Sequence, residues 1–439
     1  MIIVVHLRVE CGLSFGDYPI GLRNLEVQVQ RRKSREQHRQ PLNSNFKETV
    51  NMEYKVISGD SHVDIVWLPE DLFVSEAPDR LKDRMPKVIE TREERVWVAD
   101  GTRLGSVASA ALTGSYEPYT PGLSHRLDKM EELGFFSDSQ QGRFHPTTPE
   151  LRIKDQEVDG VQAEVLYGIL GVASGFSDAE SGISDPEVVT AIYDIYNVWI
   201  ADFCKRNPER FAGLACISCH DPQVAARQLR HAAKMGLKGA EINVANAAKP
   251  IYQKDWDVLW AAAAECHMPI SFHTTGLPFR EPEESAKEEY QLITLGLMST
   301  LFQLSGPEFL TSILLSGACD RYPDFKFVLG ECGIGWIPYV LYRIDQEYED
   351  HLFHLNLSEK PSELWHRQGY STFQDERLTP EIVQAVGEDN ILWGSDYPHA
   401  DTVWPESQEF IRKNLGHIDE GARRKITCEN AGKMYGLMK

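Results

Sequence analysis

Acidic and imidazole side chains recur along this chain at the ends of short apolar runs. Asp60 and His62 close the run that begins at Tyr54, His220 follows "FAGLACIS", and Glu241 lies within "LKGAEINV". His273 ends "MPISFHT", Glu331 ends "FKFVLGE", and Asp396 ends "NILWGSD" with His399 just beyond. A single histidine after a strand is ordinarily a loop residue with a local partner. Several apolar strands that each deliver a polar group to one rim are different, because polar groups at the edge of a buried sheet need partners. Carboxylate oxygens and imidazole nitrogens converging from separate strands suit a borderline-to-hard divalent metal, Zn, Mn, Fe or Co, rather than Ca or a thiolate cluster. The candidate ligands are therefore Asp60, His62, Glu241, His273, Glu331 and Asp396. Carboxylates crowded in this way repel one another unless a cation neutralises them, so one ion or two are expected. For Glu331 the competing reading is an ion pair with Arg343 on the following helix. For Glu241 it is a strand residue facing the other way, since strand side chains alternate.

These groups can meet only if the runs that carry them lie side by side. Eight apolar segments read as strands: 54–60, 163–169, 211–218, 237–244, 268–274, 325–331, 370–376 and 390–396. Helical patterns such as "DPQVAARQLRHAAKMG", "DWDVLWAAAAECH" and "TPEIVQAVGED" separate most of them, which predicts a (β/α)8 barrel of the TIM type. Catalytic groups in such a barrel project from the C-terminal strand ends, where these residues fall. Two long excursions, 66–155 and 276–322, read as helical insertions into the barrel. The second contains "EESAKEEYQLITLGLMSTLFQLSG" and is expected to form a lid or a subunit contact.

Composition narrows the classes. The 439 residues include 42% hydrophobic and 10% aromatic side chains, enough for a large core, and the formal net charge is −21. That charge repels phosphate backbones and anionic membrane surfaces, so neither nucleic acid nor a membrane is an expected partner. No apolar run reaches spanning length. Residues 1–51 include the basic, aperiodic "QVQRRKSREQHRQPLNSNFKETVN" and read as a disordered or mis-annotated extension ahead of a barrel domain at 52–439. Met52 is then the natural start, a reading that N-terminal sequencing of the native protein tests.

The eight cysteines are scattered except for the pair in "CISCHDP", Cys216 to Pro222. Cys-x-x-Cys-His is the spacing of c-type haem attachment. That chemistry takes place outside the cytoplasm, yet the N-terminus is a poor signal peptide, so no haem is expected and the chain reads as cytoplasmic. Cys216 and Cys219 read instead as buried, reduced thiols at a strand end. Asp221 and Pro222 read as the N-cap and first position of the next helix. His220 remains as a candidate catalytic or ligand histidine.

The segments "GDSHVD", "ISFHTTG", "VLGECGIGWIPYVLYRIDQEYE" and "ILWGSDYPHADTVWP" resemble the strand-end motifs of the amidohydrolase superfamily. The likeness is to the amidohydrolase-2 group related to aminocarboxymuconate-semialdehyde decarboxylase, and it runs from about Met52 to Tyr435. It implies a metal-binding (β/α)8 barrel and an activity among hydrolysis, non-oxidative decarboxylation of aromatic or unsaturated acids and, in rarer members, oxygenation. Carried over residue by residue, Asp60-x-His62 is the carboxylate variant of the first-strand ligand motif. His273 matches the fifth-strand ligand, and Asp396 matches the eighth-strand aspartate. The sixth strand departs from the pattern. Decarboxylases of the group show Gly-His there, whereas this chain has Gly330-Glu331, and an ionised carboxylate would repel a substrate carboxylate. Glu241 sits where dinuclear members place a bridging carboxylate.

The main expectation is accordingly a metal-dependent hydrolase, in which a metal-activated water gives its proton to Asp396 and attacks a small substrate, with His220 or His399 protonating the leaving group. The first alternative is a non-oxidative decarboxylase. The second is a dinuclear Fe or Mn/Fe centre that activates oxygen. Arg126 and Arg280 are the candidate anchors for a substrate carboxylate. A homo-oligomer, most simply a dimer, is the expected assembly, with a hetero-oligomer left open.

Overall fold

In the computed structural model, the residues described are 52–438 apart from 93, 108–120, 123–124, 174–181, 245–246, 275, 277–281 and 400–401. The chain divides into two units, of which the second holds the residues from Tyr54 to the C-terminus. The reading of 1–51 as a disordered or mis-annotated extension lies outside the described residues. The second unit is the barrel predicted from the strand pattern. Its eight parallel strands are β1 (Ile57–His62), β5 (Ala163–Tyr167), β6 (Phe211–Ile217), β7 (Gly239–Ile242), β8 (Ile270–His273), β9 (Phe327–Gly330), β10 (Gly369–Phe373) and β11 (Ile391–Trp393), hydrogen-bonded in that order. The ring closes between its last and first strands. Ser61 bridges Tyr397, the His62 N–H donates to the Tyr397 carbonyl at 2.6 Å, and the Asp396 N–H donates to the Asp60 carbonyl at 2.9 Å.

Every residue of β1, β5, β6, β7, β8, β9 and β11 is buried, as expected for parallel strands covered on both faces. Ile57, Ala163, Val165, Tyr167, Ala212, Leu214, Val328 and Leu392 fill the interior, and Cys428, Ala431 and Tyr435 of the C-terminal helices pack against them. The larger core lies between the sheet and the surrounding helices. Two helix starts show how sequence sets the frame. Asp185 and Asp221 each accept a backbone N–H two residues on, from Glu187 and Gln223, and proline follows each as the first helical residue.

The first insertion holds more than the helices expected there. Lys87–Glu90 (β2), Arg95–Ala99 (β3) and Thr102–Ser106 (β4) form a three-stranded antiparallel sheet. The Pro149–Asp159 helix, at the end of this insertion, lies against the barrel and sends Arg152 into it.

Candidate metal centre

Four strand ends place their polar residues around one point. Asp60 and His62 come from β1, His273 is the last residue of β8, Glu331 follows β9, and Asp396 lies three residues past β11. All five are buried. The turns that carry Glu331 and Asp396 are unusual, because both residues have positive φ, 48° and 57°. Non-glycine residues rarely adopt that region, and they concentrate at functional sites where surrounding structure holds them. Glycine supplies the room beside them. A Cβ at Gly394 would overlap the Cβ of Asp60, and one at Gly330 would press on His273 and Ser271 at 3.0 Å.

Hydrogen bonds orient each ligand. Asp60 Oδ2 accepts the Glu331 N–H at 3.0 Å and the Thr372 hydroxyl at 2.7 Å, which leaves Oδ1 turned toward the centre. His273 Nδ1 lies 3.2 Å from the Thr274 carbonyl, which assigns the proton to that nitrogen and the lone pair to Nε2. The Tyr167 ring packs 5.6 Å from the His62 ring and 5.0 Å from that of His273, with its hydroxyl fixed 2.7 Å from Ser271 Oγ.

The donors then face a common point rather than one another. His62 Nε2 is 3.2 Å from Asp60 Oδ1 and 3.1 Å from Asp396 Oδ1. His273 Nε2 is 3.9 Å from Asp60 Oδ1 and 3.7 Å from Glu331 Oε2. In spite of these separations Asp60 Oδ1, His62 Nε2, His273 Nε2 and Asp396 Oδ2 are buried and make no hydrogen bond. Leaving such groups unsatisfied costs about 1–3 kcal/mol each. Their convergence therefore fits a divalent cation, and oxygen and imidazole donors are the chemistry such a cation takes. Burial holds the His273 ring down, to about 4, so its Nε2 lone pair is available. Burial and His399 also push His62 down, but the Asp396 and Asp60 carboxylates prevail and lift it to about 9. Proton and cation thus compete for that nitrogen.

A second array lies beside the first. His399 Nδ1 donates to Asp396 Oδ1 at 2.8 Å, and its Nε2 is 3.1 Å from Asp64 Oδ2. Burial opposes a charge on His399, yet the Asp396 and Asp64 carboxylates outweigh it and hold the ring well above its ordinary value. The imidazole thus lies between two carboxylates that favour its charged form, connected to the metal centre through Asp396.

A family model described as amidohydrolase matches residues 142–437. The chain belongs to the amidohydrolase superfamily, in its amidohydrolase-2 group. The match begins after β1, so the Asp60-x-His62 half of this amidohydrolase site joins it through the fold. Among curated relatives, the gamma-resorcylate decarboxylase of Polaromonas sp. (strain JS666) is 26% identical over 325 residues, covering 70% of this chain and 94% of that protein. Among solved structures, an amidohydrolase from Mycobacterium avium subsp. paratuberculosis K-10 matches with a TM-score of 0.66 at 18% identity, over 88% of this chain and all of that one. The dihydroxybenzoic acid decarboxylase of Polaromonas sp. JS666, solved with bound manganese and the inhibitor 2-nitroresorcinol, matches with a TM-score of 0.53 at 19% identity, over 88% of this chain and 98% of that one.

The remaining candidate residues stand apart from the cluster. Glu241 Oε1 accepts the Gly168 N–H at 2.5 Å and the Cys216 thiol at 3.3 Å, and burial pushes its carboxyl up to about 7. These bonds hold it between β5 and β6, so it is not among the grouped ligands. His220 follows β6, but the chain has already turned into the helix capped by Asp221. Its side chain lines a cavity of 130 Å³ with Ile183, Val189, Tyr193 and Asn243, and the converging ligands are not in that lining. Cys216 and Cys219 are buried among core residues. Arg343 pairs with Glu347 and not with Glu331. Arg126 lies 3.6 Å from Asp375, in the loop after β10, and Arg280 lies outside the described residues. Sequence reasoning passed over Asp64, Thr372 and Tyr167. Asp64 stood within the quoted "GDSHVD", four residues past Asp60, but its partner His399 lies 335 residues away.

Proposed function

We propose that this amidohydrolase is a divalent-metal-dependent decarboxylase that removes CO2 from a hydroxy-substituted benzoic acid without an external oxidant. The observation that carries the reading is its kinship with a gamma-resorcylate decarboxylase along nearly the whole of that relative. It displaces hydrolysis as the first reading. The site's proton-holding array supports it. Decarboxylation of an arene requires a proton delivered to the carbon that bears the carboxylate, and His399 lies against Asp396 Oδ1 while Oδ2 faces the centre.

In this reading the proton held by His399 is the one delivered to the ring carbon, and the ionised Asp396, whose Oδ1 lies against His399 Nδ1, positions that imidazole at the centre. A hydroxyl ortho to that carbon feeds electron density into it. The bond from the ring to the carboxylate carbon then breaks, its electron pair restores the aromatic ring, and CO2 departs. Asp60, His62, His273 and Asp396 would hold the cation, which when bound supplies a Lewis acid that binds and orients the anionic substrate. Glu331, with Oε2 3.7 Å from His273 Nε2, is directed at the ligand set, so its charge is counted with the donors rather than against the substrate. Arg126 is the described candidate for a substrate carboxylate at the outer rim.

Turnover of a panel of 2-hydroxybenzoic acids in D2O tests the proposal. The expected product is a phenol deuterated at the vacated carbon, with activity lost to a chelator and restored by Mn. Absence of CO2 release across the panel, together with cleavage of an ester or amide, would overturn it. That second outcome is the hydrolase reading, which keeps Glu331 in place of an imidazole after β9 in its favour.

A further inference from the structure

Glu331 reaches the metal centre from a turn whose backbone conformation few residues favour. The turn lies between β9 and the Ile337–Glu347 helix. Glu331 and Gly333 both have positive φ, 48° and 65°. Glycine adopts that region freely, but a glutamate is kept there only by the contacts around it. We propose that Glu376, three residues beyond β10, is the positioning residue that clamps this turn and so directs the Glu331 carboxylate at the cation.

The turn is laced to the end of β10 and to the loop beyond it. The Glu331 N–H donates to Thr372 Oγ1 at 2.6 Å, the Gly333 N–H to the Thr372 carbonyl at 3.1 Å, and Ser371 Oγ to the Gly333 carbonyl at 2.9 Å. These bonds hold the first half. Glu376 holds the second, because its Oε1 accepts the Ile334 N–H at 2.9 Å and its Oε2 accepts the Gly335 N–H at 3.0 Å. Two successive N–H groups on one carboxylate form a small anion-binding nest, and bonds to a charged acceptor are about twice as strong as neutral ones. The carboxylate also lies just ahead of the Ile337–Glu347 helix, at the end where negative charge is favoured. Trp336 Nε1 closes the turn by donating to the Cys332 carbonyl at 2.7 Å.

Glycine makes room for the clamp. A Cβ at Gly333 would overlap Glu376 Oε1 and press on Gln303 Oε1 at 2.8 Å. The glutamate thus occupies the space that a side chain at 333 would take. Its bonds go to Ile334 and Gly335, whereas Asp60, His62, His273 and Asp396 are carried by β1, β8 and the loop after β11. Its effect on the cation must therefore pass through the turn that bears Glu331. The proposal rests on Glu331 lying among the metal donors, and not on which reaction the centre performs.

Mn affinity, measured by competition with a chromophoric chelator across a double-mutant cycle, tests it. Glu376→Gln sets an amide N–H against one of the two backbone N–H groups, so half of the clamp is lost without a change of size. Affinity is expected to fall about 10–100-fold, as when other groups that orient a ligand from behind are removed. In a Glu331→Gln background the same substitution should change it by less than about twofold, because the residue it acts through is already gone. Hydrogen exchange adds a readout that needs neither metal nor a variant. The Ile334 and Gly335 amides should be protected in the metal-free wild type, and should exchange faster in Glu376→Gln while those of β8 are unchanged. An equal loss of Mn affinity in both backgrounds would make Glu376 a merely structural residue and overturn the proposal. So would an unchanged affinity in Glu376→Gln, or unprotected Ile334 and Gly335 amides in the wild type.

Discussion

Arg152 is fully buried and connects the metal centre to the first insertion, so replacing it should cost stability and metal affinity together. Its Nε donates to Glu164 Oε2 at 2.7 Å, and its Nη1 donates to the carbonyls of His62 at 2.9 Å and Pro146 at 3.0 Å. The guanidinium carbon lies 4.9 Å from the centroid of the Tyr397 ring, and the Tyr397 carbonyl receives the His62 N–H. One side chain thus holds His62 directly and through the residue that follows Asp396. Arg152→Met leaves the Glu164 carboxylate buried with only Gln156 at 2.9 Å and Ser61 at 3.3 Å. Removing one partner of a buried ion pair costs about 3–5 kcal/mol, mostly from the stranded charge. Urea unfolding of the chelator-treated protein should register that loss. Arg152→Met/Glu164→Leu should be more stable than Arg152→Met, because it strands no charge. Affinity for Mn, measured by competition with a chromophoric chelator, should fall about 10–100-fold, as for other groups that orient ligands from behind. A loss below about 1 kcal/mol in Arg152→Met, or a double variant no more stable than the single one, would refute the reasoning.

Thr372→Val removes the hydroxyl that fixes Asp60 Oδ2 and receives the Glu331 N–H at 2.6 Å. It should weaken Mn binding about 10–100-fold in the same competition assay while the far-UV spectrum is unchanged. His145 makes stability depend on pH. Burial opposes its charge, but Asp155 at 2.7 Å and Asp138 at 3.1 Å raise its pKa. A group raised on folding contributes fully below its unfolded value of about 6.5, and the contribution is lost as pH rises through the folded value. The unfolding free energy of wild type minus that of His145→Gln should therefore shrink from pH 6 upward. A difference that is constant or grows would contradict the ion-pair geometry.

The eight barrel strands were legible because each is an apolar run bounded by polar residues, and a parallel strand covered on both faces has no other sequence form. Asp60, His62, His273 and Asp396 were legible for the same reason, since a strand end fixes where its last side chain points. The three-stranded sheet at 87–106 was not, because Lys87–Glu90 and Thr102–Ser106 are half-exposed and mix charged with apolar residues. Glu241 and His220 show the limit more sharply. Both occupy the right strands, but the Glu241 carboxylate is taken by the Gly168 N–H and the Cys216 thiol, and one helix cap decides where the loop histidine turns. The orienting groups were hidden for a different reason. Thr372 finds Asp60 across 312 residues and Arg152 finds His62 across 90. Such pairings are created when the ring closes, and no local pattern encodes them. The strand ends thus specify which atoms can bind a metal, while barrel closure specifies which of those atoms are left without any other partner. The second property, carried by Asp60 Oδ1, His62 Nε2, His273 Nε2 and Asp396 Oδ2, is what separates a metal centre from an ordinary buried salt-bridge network.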